Sequence, residues 1–111
     1  MLREVIRFRL PLGPQTDEFM ALLDEVQAAM EDLGVEPGKV WTSLAGQRVV
    51  IVERSFESLA AYELDDQRFH GGTDFMALWR RMEASALSME VDILQRRRSS
   101  KAVTFPYPER R

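Results

Sequence analysis

The chain has no cysteine, no asparagine and a single histidine, His70. Without cysteine there is no disulfide framework, no thiolate zinc site and no thiol nucleophile, a pattern that fits a reducing compartment. One histidine leaves no paired spacing for a metal ion and gives any histidine-based relay one candidate. No run approaches the roughly 20 apolar residues of a membrane helix. The start, Met1-Leu2-Arg3-Glu4, lacks the apolar segment of a signal peptide. The expectation is therefore a cytoplasmic protein with no membrane partner. Glycine-rich phosphate loops and G-x-S-x-G elbows are also missing, and no cofactor is expected.

What is present suits one soluble domain. The length is 111 residues, with 45% hydrophobic and 30% charged side chains. The net charge of −3 conceals an asymmetry. Residues 1–95 carry 9 basic and 17 acidic side chains, whereas residues 96–111 carry 6 basic and 1 acidic. The division is an acidic domain, 1–95, followed by a basic C-terminal tail, 96–111. An acidic body argues against nucleic acid as a partner.

Leu2 to Leu10 alternates: Leu2, Ile6, Phe8 and Leu10 share one face, with Glu4 the exception, and Arg3, Val5, Arg7 and Arg9 share the other. Period two predicts a strand with one buried face. Pro11, Gly13 and Pro14 end it, and Thr16 is a plausible N-cap. Phe19, Leu22, Leu23, Val26, Met30 and Leu33 recur at helical spacing up to Gly34. Lys39 to Leu44 predicts a second strand, Ala45-Gly46 a hairpin, and Arg48 to Arg54 a third, central strand. Ser55 could cap a helical segment from Phe56 to about Leu64, with Leu59 and Tyr62 facing inward. Phe69-His70-Gly71-Gly72 interrupts it. Thr73 or Asp74 could cap the next helix, and Met89 to Leu94 predicts a fourth strand.

The order strand, helix, strand, strand, helix, strand implies an α+β, ferredoxin-like βαββαβ fold: a four-stranded antiparallel sheet with helices on one face. The second sheet face, carrying Trp41 and part of the third strand, would be a large exposed patch. A second copy related by a two-fold axis covers it and encloses a barrel-like interior, so a homodimer is expected. The alternative is a monomer whose open face is solvated.

The stretch from Val49 through Glu53-Arg54-Ser55-Phe56-Glu57-Ser58-Leu59-Ala60-Ala61-Tyr62-Glu63 resembles the dimeric α/β-barrel superfamily, NIPSNAP-like domains in particular. Asp74-Phe75-Met76-Ala77-Leu78-Trp79-Arg80-Arg81-Met82 resembles the helix before the last strand of those proteins. The resemblance spans about residues 2–96. It implies the fold and the dimer; it leaves the reaction open, because the superfamily includes cofactor-free quinol monooxygenases, haem-degrading enzymes, dehydratases and many members without an assigned activity. The haem-degrading members use an Asn-Trp-His set. This chain has Trp41, Trp79 and His70 but no asparagine, which counts against haem degradation and weakens the monooxygenase reading.

Candidate chemistry rests on few residues. His70, Glu53 and Glu90 are the candidate catalytic groups; no metal ligands are expected. Arg7, Arg9, Trp41, Glu53 and Glu90 are the candidate ligand-binding set on the open face. They would line a polar pocket in the inter-sheet cavity, or else form a salt-bridge layer fixing dimer register. The pattern leaves open which face of the third strand carries Glu53. Arg96-Arg97-Arg98-Ser99-Ser100-Lys101 could bind an anionic surface or dock on the dimer. Three functions follow: a homodimer binding a small organic molecule, a cofactor-independent monooxygenase acting on a quinol or polyketide-like aromatic, and an interaction module using the basic tail.

Overall fold

The computed structural model describes residues 1–46 and 48–97. The basic tail beyond Arg97 lies outside the described residues. β1 (Leu2–Arg9) is followed by α1 (Gln15–Asp32), β2 (Lys39–Thr42), β3 (Val49–Phe56), α2 (Leu59–His70), α3 (Thr73–Ala84) and β4 (Ser88–Gln95). The strands form one antiparallel sheet in the order β2-β3-β1-β4, the ferredoxin-like arrangement.

The alternation in β1 decides the layering. Leu2, Ile6, Phe8 and the following Leu10 are buried beneath the helices, with Val50 and Val52 of β3 beside them. Phe19, Leu22, Leu23, Val26 and Met30 of α1, together with Phe75 and Met82 of α3, close this core. Each such side chain, fully buried, contributes about 1.5–3 kcal/mol. Phe8 sits 4.9 Å from Phe19, ring centre to ring centre, at a tilt of 58°. α2 buries none of its residues fully and leans on the rest mainly through the half-buried Tyr62 and Phe69.

Several boundaries differ from the pattern reading. α1 starts one residue before Thr16, with Pro14 at the cap position in helical geometry. A proline has no N–H to satisfy and its φ is already helical. The Thr16 hydroxyl donates instead to the Pro11 carbonyl at 2.8 Å. β2 stops at Thr42, because Ser43 to Gly46 turns through a fully exposed Leu44 and Gly46 takes a φ of +82°. β3 runs on to Phe56, whose ring is buried opposite Leu2. The cap of α2 is therefore Ser58, not Ser55; its hydroxyl accepts from the Ala61 N–H at 3.2 Å. Leu59 faces outward. α2 continues through His70 and breaks only at Gly71-Gly72, with Gly72 rather than Thr73 or Asp74 at the cap of α3. Among the described residues, no helix is long and apolar enough to cross a membrane.

Candidate functional site

The sheet register settles which candidates share a face. Glu53 pairs with Val5 and Lys39, Ile51 with Arg7 and Trp41, and Arg7 with Glu90. Directly paired residues project to the same side of an antiparallel sheet. Arg7, Arg9, Trp41, Glu53 and Glu90 thus all lie on the open face, together with Arg3 and Asp92. The Arg3 guanidinium reaches Glu53 at 3.5 Å. Trp41 is 57% exposed. None of these open-face residues lines the cavity on the other face.

The opposite, helix-covered face carries a cavity. Its volume is about 270 Å³, and it is partly open to solvent. Ile6, Val52, Phe69, Phe75, Trp79 and Met82 are among its apolar walls. Phe69 and Phe75 stack 4.9 Å apart at an interplanar angle of 14°. The polar groups at its lining are Glu4, Arg54, Tyr62, Asp66, Gln27 and His70.

Two of these are a pair that β-sheet register creates. Glu4, the one charged residue on the inner face of β1, stands directly opposite Arg54, which continues the inner phase of Val50 and Val52. Both are buried, at 5% and 7% exposure. Arg54 Nε donates to Glu4 Oε1 at 2.8 Å, and Nη2 lies at the same distance from that oxygen. The guanidinium carbon lies over the rings of Phe56 and Phe69, 4.9 and 5.0 Å from their centres. Nη1 is 3.6 Å from Asp65 and has no hydrogen-bond partner. Gly38 enables this packing: a Cβ there would come within 2.5 Å of Arg54 Cγ and 2.7 Å of the Glu53 carbonyl oxygen.

The Tyr62 hydroxyl shares this corner. Burial raises its pKa above the ordinary tyrosine value, and the Glu4 charge and hydrogen bond raise it further. His70 lies at the cavity lining but stays mostly in solvent. Its Nδ1 meets the Asp66 carbonyl at 2.8 Å and the Asp66 carboxylate at 3.5 Å. Donation from Nδ1 to that carbonyl leaves Nε2 as the acceptor of the neutral ring. No cluster of metal-ligating side chains occurs among the described residues.

Comparison with solved structures agrees with this architecture. A crystal structure of an uncharacterized NIPSNAP domain protein from Burkholderia xenovorans superposes with a TM-score of 0.72 at 16% identity, covering 87% of this chain and 95% of that one. A NIPSNAP family protein from Agrobacterium tumefaciens gives 0.63 at 19% identity, covering 86% and 85%. A dimeric ferredoxin-like protein from an uncultured marine organism gives 0.64 at 11% identity, covering 88% and 92%. The chain has the NIPSNAP-like fold. No family model matches the sequence, and no curated protein matches it.

Within the NIPSNAP-like fold, His70 of the sequence candidates reaches the cavity lining and the open-face set does not, whereas Glu4, Arg54 and Tyr62, which line it, were not among the candidate site residues. The signal was present. A lone glutamate on the apolar phase of one strand and a lone arginine on the apolar phase of its neighbour are the expected signature of a buried pair.

Proposed function

We propose that the protein is a homodimer that binds a small, mainly apolar molecule in the cavity between sheet and helices of each protomer. The observation that carries the binding reading is the cavity itself: aromatic and aliphatic walls with a few convergent polar groups, the usual make-up of a small-molecule site. Glu4, the buried carboxylate at its lining, is already engaged by Arg54, so the cavity holds no free buried carboxylate from that strand, and the apolar walls carry the binding reading.

The dimer reading rests on the open face. Trp41, Val5, Val49 and Ile51 share it with Arg3, Arg7, Arg9, Glu53, Glu90 and Asp92. A surface of mixed sign around a strand tryptophan is suited to meeting its own copy across a two-fold axis. The solved protein described as dimeric with this fold supports the same assignment. In this reading Arg7, Arg9, Glu53 and Glu90 set the register of the two sheets, and the ligand lies on the far side from them.

One experiment separates the two parts. Sedimentation velocity on wild type and Trp41→Glu is paired with calorimetric titration of tetralin, a two-ring hydrocarbon. A dimer that becomes a monomer in Trp41→Glu, while tetralin binding persists, is the expected result. A wild-type monomer contradicts the dimer. Tetralin binding lost together with the dimer places the ligand between the sheets instead.

A further inference from the structure

We propose that the C-terminal segment 103–107 of this chain docks on the helix side of β4 in its own protomer, over Val91 and Ile93.

The surface follows from the register. Met89, Val91 and Ile93 pair with Phe8, Ile6 and Glu4 of β1, so they share the face on which the helices pack. Their β1 partners are buried, yet Val91 is 46% and Ile93 42% exposed. The helix layer therefore stops short of the C-terminal part of β4 and leaves an apolar shelf there. β4 is also the last strand in the order β2-β3-β1-β4, and it is eight residues long. A long apolar edge strand is an aggregation hazard that folded proteins usually cover.

Position names the occupant first. β4 ends at Gln95, and the Arg96 N–H donates to the Met1 carbonyl at 3.4 Å, so the chain after Arg97 starts at the end of this shelf. Ile93 and Val91 lie about 7 and 13 Å back along the strand. Residues 98–102, when extended, span about 17 Å, which is enough to return over both. The short tether also keeps the segment at high local concentration.

Apolar spacing and charge agree. Val103, Phe105 and Tyr107 alternate with Thr104 and Pro106, so an extended segment presents one apolar side. Phe105 and Tyr107 each precede a proline, which disfavours helix and favours extended backbone. β4 carries Glu90 and Asp92 and no basic residue, whereas Arg96, Arg97, Arg98 and Lys101 lead into the segment. A second copy paired edge to edge on β4 would set these acids against themselves, which is unfavourable.

The absence of cysteine makes a clean test possible. Full-length protein carrying Ile93→Cys with Val103→Cys is equilibrated in a glutathione redox buffer, beside protein carrying Leu94→Cys with Val103→Cys. Leu94 pairs with Arg3 on the open face, so the two pairs have nearly the same tether and differ in face. Both strand positions are exposed, so neither cysteine disturbs the core. The expected result is an intrachain disulfide whose equilibrium constant is about tenfold or more larger at 93 than at 94. It should fall by about tenfold when Phe105→Ser and Tyr107→Ser are added. Equal constants at the two positions, or a constant at 93 that ignores the loss of both aromatics, overturn the docking. A larger constant at 94 puts the segment on the open face and overturns it as well. A disulfide joining two chains gives the shelf to the partner's segment and overturns the assignment to its own protomer.

Discussion

Arg54 and Glu4 stand opposite each other on neighbouring strands, and two guanidinium nitrogens approach one Glu4 oxygen at 2.8 Å with both side chains buried. Removing one partner strands the other as a buried charge. Glu4→Leu alone should lower stability by about 3–5 kcal/mol, whereas Glu4→Leu/Arg54→Met should lie close to wild type. Urea denaturation of the single and double variants measures this. A double variant as unstable as the single one would show that the pair is not the source of the loss.

Gly38, immediately before β2, packs against this pair. Its φ of +87° and the 2.7 Å separation a Cβ would have from the Glu53 backbone oxygen both oppose a side chain. Gly38→Ala should destabilise by more than the roughly 1 kcal/mol that separates glycine from alanine in compatible conformations. Gly34→Ala is the control, since its φ is +77° but open space surrounds it. Thermal denaturation should rank Gly38→Ala below Gly34→Ala; the reverse order would remove the steric argument.

Tyr62 gives a prediction at alkaline pH. Its folded pKa is raised, first by burial and then by Glu4. The native state therefore holds the phenolic proton more tightly than the unfolded chain. The resulting stabilisation is fully present below about pH 10, the unfolded value, and is lost as pH rises through the folded one. Absorbance at 295 nm should show a tyrosine titrating late that disappears in Tyr62→Phe. The wild type should also lose more stability above pH 10 than Tyr62→Phe. An unshifted titration contradicts the placement of the hydroxyl beside Glu4.

The sheet was legible because strand alternation is unambiguous wherever one face is packed. Leu2, Ile6 and Phe8 fixed the inner face of β1, and α1 followed from its stripe from Phe19 to Met30. The limits of β3 and α2 were harder. Phe56 reads equally as the end of a strand or the start of a helix, and only its burial opposite Leu2 decides. The site was less legible still. Glu4 was visible as an exception, yet a charge on an apolar phase gains meaning only when register brings its partner opposite. Glu53 was ambiguous because both phases of β3 are apolar over Val49–Val52, so the pattern does not distinguish inside from outside.

The six methionines report directly on where a ligand sits. Met30, Met76, Met82 and Met89 line the cavity, whereas Met1 and Met20 are not among its walls. The decisive measurement is a titration of tetralin into protein labelled with carbon-13 at the methionine methyl groups. Occupation of the space between sheet and helices shifts those four signals together and leaves Met1 and Met20 in place. Saturable tetralin binding with the four cavity signals unmoved would contradict the account.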